Sequence, residues 1–297
     1  MSLSHASTVL VTGGGGRLGR LVVAAFRDRG MRALSLSRTP AGDPGHPDDL
    51  VADLRDADAL TTAVRGTDID VVIHLAAVVH GDDVVSSNSQ MDGGLRALLR
   101  GVEPSSIVFV SSSAVYGDSQ REALTERSPM RGESPYAVAK RATEDMLRLE
   151  YDRRPDLSVT TLRIFNISGP SFPDSLVQRL IAADAAHPVT LVTIDSFIRD
   201  YIHQSDVVRS ILAAHDRARP GHRTLNVGAG VPISTRELLR SLRIADDRWT
   251  EVEGRASTSS ADIGAAVQWL GLRPEAGPTP DWAREDLGGV RTDPAVG

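Results

Sequence analysis

Five short apolar runs mark the first 165 residues, each set off from the next by a longer amphipathic or polar stretch. They are "TVLVT" (8–12), "ALSLS" (33–37), "VVIHLAA" (71–77), "IVFVSS" (107–112) and "VTTLRIF" (159–165). Runs of this length, nearly continuous in apolar residues, predict strands buried on both faces. After the first run, "RLGRLVVAAFRDRG" repeats its apolar residues at Leu18, Leu21, Val22, Ala25 and Phe26. That is the spacing of one helix face, with Gly30 placed to end it. Strand and helix alternate in this way, which predicts an α/β fold with a doubly wound parallel sheet. After about residue 168 the periodicity becomes less regular, and a second, smaller C-terminal α/β lobe is expected over 169–297. "AGDPGHPDD" (41–49) reads as a surface loop and "GGVRTDPAVG" (288–297) as a loose tail.

Composition narrows the chemistry more than the fold. Hydrophobic content of 41% and charged content of 24% are those of an ordinary soluble globular protein. A net charge of −6 argues against nucleic acid or an anionic membrane as the main partner. The chain has no cysteine, so disulfides, thiol catalysis and thiolate metal sites are excluded, and no metal is expected. "MSLSHAS" has neither the basic nor the apolar part of a secretory leader, and no apolar stretch exceeds core-strand length. A cytoplasmic protein is expected.

The first strand runs into "TGGGGRLG", which sets Gly13, Gly16 and Gly19 three residues apart at the opening of a helix. Glycine allows the tight turn and the close approach of backbone to a pyrophosphate, which then sits at the positive end of the helix. In this position the pattern predicts a Rossmann-type dinucleotide site; elsewhere it would be a plain glycine-rich turn. The second strand ends in Ser37 and Arg38, with no carboxylate to bond the adenosine ribose. Arg38, helped by Arg17, suits a 2′-phosphate, so NADP(H) is favoured over NAD(H). Asp53, in "VADLRD", is placed either to bind the adenine or to end a strand.

The chain contains 32 arginines and a single lysine, Lys140, in "SPYAVAK" (134–140). Ser134 and Pro135 form an N-cap and first-turn pair, so Tyr136 begins a helix and Lys140 follows one turn later on the same face. A tyrosine serving as acid and base near neutral pH needs its pKa brought down from about 10, which a fixed positive charge does. A compact ammonium can also bond ribose hydroxyls, where the planar fork of arginine is bulkier and directed differently. "VSSSAVYG" (110–117), at the end of a buried strand, adds serine hydroxyls able to bond an oxygen that changes between carbonyl and alcohol.

Together these segments resemble the extended short-chain dehydrogenases/reductases, in the NAD(P)-dependent nucleotide-sugar epimerase/dehydratase group. The matching pieces run in the family's order: "VTGGGGRLG", "ADLRD", "VIHLAA", "SSSAVYG", "SPYAVAK", "LRIFNISGP", "IRDYIHQSDVV", "LNVGAG" and "ADIGAAVQWLGLRP". The resemblance implies catalytic roles for Ser112, Tyr136 and Lys140, with Ser113 taking the serine's place if the turn is shifted. It implies cofactor contacts from Gly13, Gly16, Arg17, Leu18, Gly19, Ser37, Arg38, Asp53, Leu54, Leu75, Ala76 and Ala77, besides Tyr136 and Lys140. Substrate contacts fall on Ser112, Ser113, Asn166, Arg199 and Arg255, although the spacing after Arg255 is shorter than the family's. His74 is expected to be structural. The resemblance also implies a dinucleotide-binding domain over 1–168, completed by parts of 195–228. A nucleotide-sugar-binding lobe over 169–297 and a homodimer through two helices per subunit are implied as well.

Departures from the family pattern bear on the reaction. The 4,6-dehydratases carry an Asp-Glu pair after the active-site hydroxyl residue, and here those positions are Ser113 and Ala114. Met91 stands where an asparagine is usual. The Ser37-Arg38 ending points to an exchangeable NADPH, as a ketoreductase needs. The expected reaction is reduction of a nucleoside-diphosphate 4-keto-6-deoxyhexose by hydride transfer at C4, with Tyr136 as acid and base. A UDP-glucose/galactose-type 4-epimerase is the alternative. A non-catalytic NADP(H)-sensing regulator is a remote third, since a sensor has no use for the trio.

Overall fold

The computed structural model describes residues 7–40, 46–117, 122–275 and 277–283. The predicted tail and the first part of the predicted 41–49 loop lie outside the described residues. The first half of the chain forms β1 (Thr8–Thr12), α1 (Arg17–Asp28), β2 (Arg32–Ser37), β3 (Asp49–Val51), α2 (Ala57–Val64), β4 (Val71–His74), α3 (Val84–Val102), β5 (Ser106–Ser112), α4 (Pro135–Arg153) and β6 (Ser158–Ile164). The second half forms β7 (Ile167–Ser168), α5 (Leu176–Ala182), β8 (Val189–Val192), β9 (Phe197–Asp200), β10 (Ile202–His203), α6 (Gln204–Asp216) and β11 (Gly221–Val227). It ends in β12 (Pro232–Ser234), α7 (Thr235–Leu242), β13 (Trp249–Val252), β14 (Ser257–Ser259) and α8 (Gly264–Leu270).

The main sheet has seven parallel strands in the order β11-β6-β5-β4-β1-β2-β3. Alternate residues of each strand face opposite layers. Val9 and Val11 pack with α1, α6 and α8 through Val22, Phe26, Val207, Ile211 and Leu270. Leu10 and Val72 pack on the other side with α2, α3 and α4 through Leu60, Leu95, Leu98, Met146 and Leu147. Both faces are covered, which is why the strands read as apolar runs. Strand order reverses beside β1, and the carboxyl ends of β1 and β4 open a crevice there, the usual ligand position in such sheets.

Two elements differ from the expected ones. The run 71–77 predicted a strand to Ala77, but β4 stops at His74. Leu75 makes one last bond to the Thr12 carbonyl, after which Gly13 turns away at φ +72° and the pairing with β1 ends. β3 was not expected, because its three residues follow a polar loop and gain their order from pairing with β2.

A smaller core gathers Val177, Leu180, Leu191, Tyr201, Leu238, Leu242 and Trp282. Helix α7 enters it through a reciprocal capping box between Ser234 and Glu237. Beneath β5 and β6 lies a buried polar cluster. Arg163 donates from Nε to Glu144 Oε1 (3.0 Å) and from Nη2 to Oε2 (2.6 Å), and from Nη1 to the Tyr116 hydroxyl (2.8 Å). Ser111 donates to Glu144 (2.6 Å) and Tyr116 to Asn226 (2.7 Å).

Candidate active site

The glycine turn is built by contact as much as by dihedral angle. The N–H groups of Gly13 and Gly14 donate to the Leu36 carbonyl, and that of Gly16 to the Gly13 carbonyl. A Cβ on Gly13 would lie 2.8 Å from the Ala76 nitrogen, and one on Gly19 would overlap the Gly13 carbonyl oxygen. Helix α1 starts from Gly16 with no side-chain cap and no acidic residue in its first turn. Its opening N–H groups therefore remain for a ligand, and the helix dipole favours an anion. The cavity in front, about 640 Å³, is lined by Gly13, Gly16, Arg17, Leu18, Gly19, Leu75 and Ala77 on one side. A dinucleotide pyrophosphate fits this cradle. Gly19→Ala should destabilise the fold by about 1–3 kcal/mol through overpacking of the turn. It should also abolish dinucleotide retention, as read by urea unfolding and by the dinucleotide released on denaturation.

The opposite wall carries Ser112, Ser113, Tyr136 and Lys140. Ser112 is the last residue of β5, and its Oγ accepts from the Ala114 N–H (3.2 Å), starting a short 3₁₀ turn. Ser134 caps α4 by accepting from the Ala137 N–H (3.2 Å), with Pro135 in the first turn. Tyr136 therefore stands at the helix entrance, on the same cavity wall as Ser112. One turn on, Lys140 is 4% exposed and donates to the Val110 carbonyl (2.8 Å). The ammonium lies over the rings of Phe109 (4.8 Å) and Tyr136 (5.7 Å).

The electrostatics depart from expectation. Lys140 does not bring the Tyr136 phenol down. Burial pushes that phenol above its usual range, and the nearby Ser112 hydroxyl only partly offsets it. Lys140 is itself drawn down to about 8 by burial, opposed by Asp92 and Glu144. His74 is buried, bonded to Thr12 Oγ1 (2.7 Å) and stacked on Phe109. Burial, then Lys140, brings it down to about 3, so it is a neutral structural residue.

Asn166 lines this cavity and a second one of about 490 Å³, in which Arg199 also lies. The Arg199 guanidinium stacks on Phe197 (3.7 Å) and donates to the Ser257 hydroxyl (2.9 Å) and carbonyl (3.1 Å). Arg255 is not brought in. It is exposed on the short link between β13 and β14 and lines neither cavity. Ser37 and Arg38 follow Leu36, whose carbonyl holds the glycine turn, and with Asp53 they lie outside the 640 Å³ cavity. Ser37 donates to the Thr39 carbonyl (2.6 Å), and Asp53 is held below the usual carboxylate range by its hydrogen bonds from Arg55. Leu54 is buried against Gly94, and Ala76 abuts Gly13. Met91 is buried in the core. Arg17, expected beside a phosphate, instead pairs with Asp174 (2.7 Å) across the cavity.

Sequence reading missed Asp174, Phe172, Val79 and His80, which also line the cavity. None carries a local spacing signal; they meet only when loops from both halves of the chain converge.

The profile of the NAD dependent epimerase/dehydratase family matches residues 9–228. The chain belongs to this family. Among its relatives in the NAD-dependent epimerase/dehydratase family, the UDP-glucose 4-epimerase of Streptomyces lividans is 30% identical over 267 residues, covering 79% of each chain. The dTDP-glucose 4,6-dehydratase of Streptomyces griseus is 33% identical over 226 residues, covering 71% of this chain and 67% of its own. The structure of Thermus thermophilus UDP-glucose 4-epimerase in complex with NAD superposes with a TM-score of 0.76 at 26% identity, covering 91% of this chain and 94% of that one. The doubly wound sheet is thus the extended short-chain dehydrogenase/reductase fold. No helix among the described residues is long and apolar enough to cross a membrane.

Proposed function

We propose that this protein is a nucleotide-sugar 4-epimerase, in which Ser112, Tyr136 and Lys140 serve hydride transfer at C4 of the sugar. The observation that carries the reading is the convergence of Ser112, Tyr136 and Lys140 on the cavity that holds the glycine turn. That cavity adjoins the one containing Arg199 through the shared Asn166. Bound nicotinamide would supply the hydride acceptor at this wall. Tyr136 takes the hydroxyl proton as the C4 hydride leaves and returns it when hydride is delivered to the other face. Its raised pKa opposes the first step, in which it must be a phenolate, and holds the proton between the steps, so a positive charge beside it is needed for turnover. Ser112 bonds the same substrate oxygen, Lys140 orders the site from beneath, and Arg199 offers a guanidinium to the diphosphate. Residues 1–168 with parts of 195–228 form the dinucleotide half in this reading, and the rest of 169–297 holds the nucleotide sugar.

Dehydration is disfavoured because Ser113 and Ala114 offer no carboxyl group beside Ser112. The similar Thermus thermophilus epimerase was solved in complex with NAD, which supports NAD as the cofactor here. Reduction of a 4-keto sugar nucleotide with NADPH is the second reading. One observation favours it: β2 ends in Ser37 and is followed by Arg38, with no carboxylate. Denaturing freshly purified protein and identifying the dinucleotide set free separates them. Near-stoichiometric NAD is the expected result. Little bound cofactor, with NADPH rebinding more tightly than NADH, would transfer the assignment to the reductase.

A further inference from the structure

Asp92 has no assigned part in this site. It lies on α3 where that helix packs on α4, and its Oδ1 accepts from the Thr143 hydroxyl (2.8 Å). Thr143 is less than one turn beyond Lys140 on α4. The charged and titratable groups around Lys140 can be accounted for one by one. On α4, Tyr136 belongs to the cleft, and Glu144 is bonded to Arg163 of β6 and to Ser111, so that its charge, which also favours the Lys140 ammonium, is largely answered by Arg163. On β4, His74 is neutral. On α3, Arg96 pairs with Glu150 (3.4 Å), which also binds Arg100 and Arg153, and its charge favours the Asp92 carboxylate without bonding it. Asp92 remains, with no cation bonded to it among the described residues.

We propose that Asp92 is a positioning residue whose carboxylate keeps Lys140 in its ammonium form beneath Tyr136. Burial raises the Asp92 carboxyl to about 6 and lowers Lys140 to about 8. The opposed charges therefore coexist between these values. Below the window Asp92 is protonated and its support is lost; above it Lys140 is neutral.

Because Lys140 is the chain's only lysine, protein grown on lysine labelled with ¹³C at Cε gives one lysine side-chain signal. Its pH titration reads this ammonium without any substrate. In Asp92→Asn the midpoint should fall by about 1–2 pH units, the usual effect of losing a close opposite charge. Asp92→Glu should restore most of it. Thr143→Val, which frees the carboxylate without removing it, should shift the midpoint less and in the same direction. An unmoved midpoint in Asp92→Asn, or, should that variant not fold, in Thr143→Val, overturns the proposal. The consequence for turnover rests on the reading of Tyr136 and Lys140 as the reacting pair. If the titration moves while the alkaline limb of turnover does not, Asp92 still governs the lysine and it is that reading which fails.

Discussion

Tyr136→Phe should lower turnover of nucleotide sugars by about 10²–10⁴-fold, the usual contribution of a positioned proton-transfer group. The change deletes one oxygen atom and leaves the ring in place. The ring is partly buried at the start of α4, its entrance angle is set by Ser134 and Pro135, and Lys140 lies over its face. Dinucleotide retention should therefore change little, because the glycine turn and α1 are untouched. The loss should appear in kcat rather than in KM, since the proton moves only during reaction. Stopped turnover with retained dinucleotide supports the assignment. A variant that still interconverts nucleotide sugars at near wild-type rate would sink it.

The largest effect on stability is expected at Arg163→Met. Arg163 and Glu144 have side chains 5% and 8% exposed and meet at 2.6 Å. Removing the cation leaves Glu144 buried without its countercharge, and breaking such a pair costs about 3–5 kcal/mol. Ser111 remains a donor to Glu144, but one hydroxyl cannot replace a guanidinium. Urea unfolding measures the change. The double variant Arg163→Met, Glu144→Leu supplies the control: it should be more stable than the single one, because no charge is then stranded. Equal losses in both would mean that Arg163 contributes through packing alone.

These two residues differ in how readable they are. Tyr136 and Lys140 could be found in the sequence because the mechanism lies within one helical turn and because a lone lysine stands out among arginines. The sheet was readable for a related reason: strands covered on both faces carry apolar residues on both sides, as Val71, Val72 and Ile73 of β4 show, whereas β6 is buried at all seven positions with four of them polar. Arg163 sits inside that run, and an arginine there is a visible anomaly, but its partner Glu144 comes from a helix that follows an ordinary polar pattern. Asp92 is less readable still, since its setting depends on α3 meeting α4. The expectation for Arg255 failed because a family position was carried across a shortened link, which leaves the side chain outside. Arg17 lines the cavity, but its guanidinium pairs with Asp174, 157 residues away, a partner that no local pattern announces.

The position of β11 has a consequence for how the chain is made. It pairs with β6 along seven residues and forms one edge of the main sheet, although 56 residues separate the end of β6 from its start. During synthesis β6 thus emerges with a bare edge of unpaired backbone N–H and C=O groups, and only after Val227 leaves the ribosome can that edge be covered. A nascent chain stalled between these points presents an open parallel strand, a surface that invites pairing with other chains. Chaperones that shield apolar segments would find their longest opportunity in this interval, and a gene fragment ending near residue 170 should yield insoluble product.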